Sequence, residues 1–215
     1  MQFRTVAIVS LVAVALAGCR TQGDLVVQEG VGITALRTTC PAVGIPDYTG
    51  DVTLFAPADA RTADAIDVTA SMTNVRATCD DSGERINSVA DFDVLAMRRD
   101  TRGARSVQLP YFSTVVRGGS SVVAKRIGTV TVDFADGQAR AQAHGQAAAY
   151  IDRSAATLPA DIRERITRKR KAGEAEAAVD PLTEPAVRAA LDRANFELLV
   201  GFQLTTDQLA YNVTR

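Results

Sequence analysis

Apolar and polar residues alternate along several parts of the chain between residues 51 and 150. The clearest case places four apolar side chains on one face of an extended segment, at Ile66, Val68, Ala70 and Met72. Polar residues separate them, which is the period of a strand with one buried face. Similar segments follow near residues 90–96 and 107–116, with turn residues between them. We therefore predict a mainly β protein, specifically an antiparallel β-sandwich of immunoglobulin-like architecture.

Asp136-Gly137 separates two further alternating segments. A two-residue Asp-Gly loop between such segments is typical of a β-hairpin. In that hairpin Val132 would face Ala141, and Asp133 would face Arg140, so that apolar and charged pairs occupy opposite faces. His144 would lie on the polar face. The sequence thus predicts that the strands on either side of Asp136-Gly137 pair with each other.

The periodicity changes between residues 158 and 194. Leu158, Ile162 and Ile166 recur every four residues, as on one face of a helix, and Pro185 fits the first turn of a second helix. Residues 196–205 and 209–213 return to a strand-like pattern. We predict a short helical insertion at about 158–194, followed by a last hairpin. The apolar segment Phe196–Phe202 is expected to be a central strand; an exposed edge there would instead accept a partner's strand.

The N-terminus has a different pattern. One basic residue, Arg4, precedes an uncharged apolar run from Val6 to Leu16. A basic start followed by a short apolar run and small residues is typical of a signal peptide. The run is shorter than the ~20 residues that a membrane-spanning helix needs. Export from the cytoplasm is therefore the expected fate of the chain.

The four residues Leu16-Ala17-Gly18-Cys19 resemble the bacterial lipobox at every position. The resemblance covers only the signal region. It implies cleavage before Cys19, acylation of the Cys19 thiol and attachment to a membrane facing the periplasm. Arg20, rather than Asp, follows the cysteine, which resembles the outer-membrane default. The predicted organisation is a signal peptide at 1–18, a lipidated N-terminus and flexible tether at 19–39, and a single β-rich periplasmic domain at 40–215.

Two cysteines remain besides Cys19. Cys40 and Cys79 form an even pair in an oxidising compartment, which predicts a disulfide that could link the two sheets. Two buried free thiols or a metal site are the alternatives. A metal site is disfavoured because the only His, His144, is distant in sequence. No metal or other cofactor is predicted.

Charge and aromatic content narrow the possible functions. The chain has 24 basic and 25 acidic residues, a balance that argues against a nucleic-acid binder. Trp is absent and aromatic residues make up 5% of the chain, whereas glycan binders generally present stacking aromatics. His144 has no nucleophile at a recognisable spacing, and no catalytic residue is predicted.

A basic cluster falls within the predicted helical insertion. Its members are Arg163, Arg165, Arg168, Lys169, Arg170 and Lys171. The cluster could contact lipid head groups, lipopolysaccharide phosphates or an acidic partner. A solvated helix face, partly balanced by neighbouring glutamates, is the alternative interpretation.

Three classes of function remain. The first is a non-enzymatic docking or structural subunit of cell-envelope machinery, bound to the membrane through acylated Cys19 and to an envelope protein partner. The second is a module that binds a lipid, a glycan or a small molecule, and the third is an enzyme. A docking subunit should have a contiguous exposed patch near the basic helix or an open sheet edge. A carrier should have an apolar cavity between the sheets, and an enzyme should have convergent polar groups in a cleft.

Overall fold

The computed structural model describes residues 37–170, 173, 175 and 179–214. Residues 34–168 and 180–215 form one compact unit, and the account below concerns its described part. A second unit comprises residues 1–33 and 169–179, of which few residues are described. Within the described ranges, no helix has the length and apolar character required to cross a membrane. The predicted signal peptide, acylated Cys19 and residues 19–36 of the predicted tether lie outside the described residues and stay predictions.

Two four-stranded sheets pack face to face, as predicted for a β-sandwich. The first sheet contains, in spatial order, β1 (Ala42–Gly44), β8 (Phe196–Phe202), β5 (Arg105–Arg117) and β6 (Ser121–Phe134). The second contains β2 (Asp51–Phe55), β3 (Ile66–Asp80), β4 (Arg85–Arg98) and β7 (Arg140–Asp152). The short β1 runs parallel to β8, and the other neighbours are antiparallel.

The core between the sheets follows from the alternation in the sequence. In β4 the side chains of Phe92 and Val94 are completely buried, while Asp93 between them faces the outside. Leu198 and Val200 of β8 supply the opposite side of the same core. Burial of one such side chain stabilises the fold by roughly 1.5–3 kcal/mol, so each inward position of the alternating strands contributes to stability.

The Asp136-Gly137 turn forms, but its two flanking strands do not pair with each other. The Gln138 amide donates to the Ala135 carbonyl at 3.0 Å, while β6 pairs with β5 and β7 pairs with β4. Val132 is therefore opposite Val107, not Ala141. The predicted hairpin is wrong because alternation specifies which face of a strand is buried, and both strands bury that face equally well in separate sheets.

Arg98 holds this corner between the sheets. Its buried guanidinium, 2% exposed, donates to the carbonyls of Gln138, Thr101 and Ala135 at 2.8, 2.9 and 2.9 Å. The guanidinium carbon also lies 5.2 Å from the centre of the Phe134 ring. These carbonyls occur where the chain passes from one sheet to the other, so Arg98 takes the place of strand partners that the corner lacks.

The predicted helical insertion is confirmed in outline. Within the predicted bounds lie α2 (Ala160–Thr167) and α3 (Pro185–Ala194), with a 3-10 turn at Pro181–Thr183 between them, and α1 (Arg153–Ala156) directly precedes them. A further 3-10 turn lies at Ala63–Ala65, between β2 and β3. Ile162 and Ile166 of α2 pack with Val187 of α3 in a second small core. The spacing of four in the sequence thus identified the buried stripe of α2.

The predicted last hairpin is wrong, because residues Thr206–Thr214 form a helix, α4. The Thr205 hydroxyl accepts from the Gln208 amide at 3.3 Å, and the Gln208 side chain accepts from the Thr205 amide at 2.9 Å. This reciprocal pair is a capping box, which satisfies two amides at the start of a helix. Asn212 then donates to the carbonyls of Tyr48 and Asp51, both at 2.8 Å, and so docks α4 beside β2.

The disulfide between Cys40 and Cys79 is present, and it joins the two sheets as predicted. Cys40 lies two residues before β1 of the first sheet, and Cys79 belongs to β3 of the second sheet. Their Cα atoms are 6.1 Å apart, with 39 residues of sequence separation.

Candidate functional site

The basic cluster does not form one uniform surface. Arg163 and Arg165 are exposed on α2, and Arg168 is exposed directly after it. Arg165 pairs with Glu184 at 3.0 Å, so an acidic residue partly balances this face. Lys169 is exposed, but Arg170 is only 6% exposed, which removes its guanidinium from any exposed basic surface. Lys171 lies outside the described residues.

His144 lies in a row of polar side chains on the outer face of the second sheet. The β4–β7 register places it directly opposite Asp93, and its Nδ1 is 3.0 Å from Asp93 Oδ1. Its Nε2 lies 3.6 Å from Asp91 Oδ1. Asn74 donates to Asp93 at 2.6 Å, and Gln146 donates to Asp91 at 2.9 Å. The prediction that His144 faces outward is confirmed.

The partners within this polar row satisfy one another. The Asn74 side chain, followed by the His144 ring, lowers the pKa of Asp93 because both hydrogen-bond its carboxylate. Asn74 has a positive φ of 53° beside an irregularity in β3, so its amide ties that distorted segment to β4. Among the residues that the structure describes, no group of three or more His, Cys, Asp or Glu is arranged to hold a metal. The row acts chemically as a cross-strand tie.

An apolar shelf adjoins the polar row on the same outer face. Leu95 and Met97 are each about half exposed and lie in consecutive outward positions of β4. They border a shallow depression of about 570 Å³. Polar residues of β3 and β7 also line this depression. Ser71 and Gln142 lie on either side of Leu95. A flat shelf of this kind offers contact area without enclosing a ligand.

A wider cleft lies at the end of the sandwich, between the β3–β4 turn and α1. Its volume is about 1170 Å³, and Arg85, Asp152, Arg153 and Leu158 are among its lining residues. Arg85 Nε lies 3.6 Å from Asp152 Oδ1, and the Arg153 guanidinium donates to the Asp81 carbonyl. We refer to this feature as the end cleft. It combines charged and apolar groups and is open to solvent.

The interior of the sandwich is filled by large side chains. Phe92, Phe134 and Phe202 are buried between the sheets. A pocket lined by residues of β5, β6 and β7 has a volume of about 60 Å³. That volume is on the order of two water molecules and is far below the 300–1,000 Å³ of a typical ligand site.

Two aromatic rings close the side of the sandwich between β6 and β7. Phe92 covers Gly145 directly across the β4–β7 pair, and Tyr111 covers Gly128 directly across the β5–β6 pair. The rings meet edge to face with their centres 5.1 Å apart. Burial raises the pKa of the Tyr111 phenol, whose hydroxyl donates to the Gln146 carbonyl at 2.7 Å. A Cβ at Gly145 would lie 2.4 Å from the Phe92 ring, and one at Gly128 would lie 2.5 Å from the Tyr111 ring, so a larger residue at either position forces a shift.

The start of β6 has no sheet neighbour beyond β5 among the described residues, and we call residues 121–128 the open edge. Every residue from Ser121 to Ile127 is exposed, whereas the second half of β6 alternates between exposed and buried positions. Val122, Val123 and Ile127 are 62, 52 and 57% exposed. β8, for which an edge position was the alternative, is central between β1 and β5. The edge strand with exposed apolar side chains is therefore β6.

Sequence reasoning did not single out the open edge, although a signal is present. In residues 121–128 apolar residues occupy both odd and even positions, so neither face is purely polar. A strand buried on one face would alternate strictly. Whether such a strand is covered by a neighbour depends on the order of strands in the sheet, which the segment itself does not encode.

No protein-family model, curated protein or solved structure matches this chain. Its function is therefore argued from the geometry of its own surfaces.

Proposed function

We propose that this chain is a lipid-anchored envelope protein, held through acylated Cys19 with its domain facing the periplasm, more specifically at the outer membrane. There it acts as a non-enzymatic docking or structural subunit of cell-envelope machinery. The observation that carries the proposal is the open edge, where three large apolar side chains are exposed along the side of β6 that has no strand neighbour among the described residues. Unpaired edges invite strand addition by another chain, and natural proteins usually cover or shorten them.

The filled interior supports docking over transport of a lipid inside the sandwich. A pocket of about 60 Å³ between the sheets does not admit an acyl chain. The polar row supports a structural role over a catalytic one, because its carboxylates hydrogen-bond with His144 and the neighbouring amides across the strands. The open edge and the apolar shelf are both exposed, and both suit contact with another protein.

The anchor rests on the signal region and on the disulfide. Leu16-Ala17-Gly18-Cys19 has the residue types of a lipobox, and disulfides such as Cys40–Cys79 persist in oxidising compartments. Mass spectrometry of the N-terminal peptide tests this part. We expect a peptide that begins at acylated Cys19. A peptide that retains residues 1–18 with a free Cys19 thiol would contradict the anchor.

Docking is tested by purifying the tagged full-length chain from envelopes in mild detergent, beside the Cys19→Ala variant. We expect a protein partner at near-stoichiometric yield with the native chain and its loss with Cys19→Ala, because the variant has no thiol to carry the lipid anchor. A chain that purifies alone from both preparations would exclude a stable complex.

The end cleft favours one alternative, a module that binds a small molecule or a glycan. Its volume of about 1170 Å³ and its mixed lining of Arg85, Arg153 and Leu158 are compatible with a polar ligand. Native mass spectrometry of the chain purified from envelopes would reveal such a ligand as added mass. Leu158→Arg would then remove the added mass, whereas Leu95→Arg on the apolar shelf would leave it in place.

A further inference from the structure

The open edge presents its two cations on opposite faces of one strand. The Lys125 ammonium lies 5.2 Å from the centre of the Phe112 ring, on the outer face of the first sheet. Arg126, the next residue, turns inward and lines the small pocket beside Tyr150 of the other sheet. Residues 121–128 include no acidic side chain. An added strand would therefore meet one positive charge on each of its faces.

Apolar side chains flank this pair of cations. Ile127 lies beside Arg126, and Val122 and Val123 lie on the other side of Ala124. All three are more than half exposed. Residues that lie directly opposite each other on antiparallel strands share a face and stabilise the pair when their chemistry matches. Along the regular stretch from Ile127 to Ala124, the edge thus specifies an order of residue types: apolar, acidic, acidic, small. A further apolar residue follows beside Val123, where the β5–β6 register is irregular.

A second copy of the chain fits this edge poorly. Two copies related by a twofold axis at Lys125 would set the two Lys125 side chains opposite each other. An axis at Arg126 would oppose the two Arg126 side chains in the same way. An axis at Ala124 sets Lys125 opposite Val123 and leaves the cation without a carboxylate. Like charges directly opposite each other destabilise strand pairs, and edge lysines are a known safeguard against self-association.

We propose that the open edge binds an extended acidic segment of a partner protein as an added antiparallel strand, with two consecutive carboxylates opposite Lys125 and Arg126. The inference rests on the docking function proposed above and names the chemistry of the partner. Backbone hydrogen bonds to β6 provide attachment, the apolar residues fix the register, and the two carboxylates give selectivity.

A synthetic peptide tests the proposal without knowledge of the partner. The probe is acetyl-Thr-Val-Glu-Glu-Thr-Val-Thr amide, which sets its glutamates opposite Arg126 and Lys125 when it runs antiparallel to β6. The control peptide carries two lysines in place of the glutamates. Hydrogen–deuterium exchange of the full-length chain in detergent reports where each peptide binds.

We expect the glutamate peptide, at a concentration about tenfold above its Kd, to slow exchange across residues 121–128 by about tenfold. The lysine peptide at the same concentration should have no measurable effect there. Equal protection by both peptides would contradict the charge selectivity. Protection of β7 or the apolar shelf in place of β6 would overturn the assignment of the site.

Charge reversal gives an independent test. In the double variant Lys125→Glu with Arg126→Glu, the preference should invert, so that the lysine peptide binds at least tenfold more tightly than the glutamate peptide. Arg140→Glu, an exposed change at the start of β7, is the matched control and should leave the preference unchanged. Unchanged melting temperatures of the variants would show that the fold persists, and an uninverted preference in a folded double variant would refute the proposal.

The proposal of a docking function and the proposal of an acidic partner segment can be contradicted separately. If a partner co-purifies with the native chain and equally with the double variant, the docking function stands and the open edge is not its site. If the glutamate peptide binds but no partner co-purifies from envelopes, the edge chemistry holds and the stable docking complex does not.

Discussion

The hydroxyl of Tyr111 donates to the main-chain carbonyl of Gln146 at 2.7 Å and so connects the first sheet to the second. The two residues lie on β5 and β7, which do not pair with each other. The bond occurs on the side of the sandwich where β6 and β7 are both without a further neighbour among the described residues. It therefore helps to keep the two sheets in place where no strand ladder does so.

Removal of this hydroxyl should measurably lower stability. We expect Tyr111→Phe to reduce the free energy of unfolding by about 1 kcal/mol, since the ring contact with Phe92 remains and only the hydrogen bond is lost. Urea denaturation would measure the change. Tyr150→Phe removes a hydroxyl from an exposed residue of β7 and should cost less. Equal losses in the two variants would show that the bond to Gln146 does not contribute.

A methyl group at Gly145 should be destabilising. An added Cβ would lie 2.4 Å from the Phe92 ring, which is buried and cannot move aside. Gly145→Ala is therefore expected to cost about 1–3 kcal/mol through overpacking, measured by thermal or urea unfolding. Gly44→Ala in β1 meets no atom within 4 Å and serves as the control. The double variant Gly145→Ala with Phe92→Leu should lose less stability than the sum of the two single losses, because the smaller side chain leaves room for the Cβ. Losses that simply add would contradict the steric cause.

Arg98 should be among the least replaceable polar residues of the fold. Its guanidinium donates to three carbonyls in the connections between the two sheets while almost fully buried. Arg98→Lys keeps the charge but cannot reproduce the planar fork, and we expect a loss of about 2 kcal/mol or more. Arg140→Lys, at an exposed position of β7, should be nearly neutral. Similar unfolding midpoints for the two variants would rule out this role.

The ion pair between Asp67 and Arg105 should make stability depend on pH. The Arg105 guanidinium hydrogen-bonds Asp67 at 2.6 and 2.7 Å and lowers the pKa of that carboxyl. A lowered folded-state pKa contributes stability that is present above the unfolded-state pKa of about 4 and is lost as pH falls through the folded value. Because the pair is partly exposed, we expect a contribution of no more than about 1 kcal/mol.

The comparison of native protein with Asp67→Asn isolates this effect. The stability advantage of the native chain should be constant from pH 7 to about pH 5 and should shrink at lower pH. Asp59→Asn, at an exposed position, is the control, and its difference from native should vary less with pH. An advantage of native over Asp67→Asn that persisted undiminished in acid would contradict the assigned pairing.

The alternating pattern predicted which faces of the strands are buried but not which strands are neighbours. Val132 and Ala141 were correctly placed on inward faces, yet they contact different strands in different sheets. Side-chain alternation is a local property, whereas strand order depends on contacts far apart in sequence. The polar row around His144 was not predicted for the same reason. Asp91 and Asp93 belong to β4 and His144 belongs to β7, so their contact depends on strand order.

The wrong prediction of a last hairpin at the C-terminal end has a different cause. Leu209 and Val213 suggested a strand, while Thr205 and Gln208 already carried the spacing of a capping box. A short apolar run does not distinguish a strand from a helix, and the cap is the stronger local signal. The disulfide was predictable because Cys40 and Cys79 were the two cysteines left once Cys19 was assigned to lipid, and the compartment favoured oxidation.

The position of the disulfide has a mechanical consequence. Tension applied to the chain from its N-terminal end reaches Cys40 before it reaches β1, which is attached to β8 along only three residues. Without the crosslink, such tension would peel β1 away and then extend the chain towards β3. With it, the tension passes directly from Cys40 to Cys79, and the segment between them is shielded from stretching. The contacts that would yield first are those before the crosslink, from Arg37 to Ala194 and from Thr39 to Asp81.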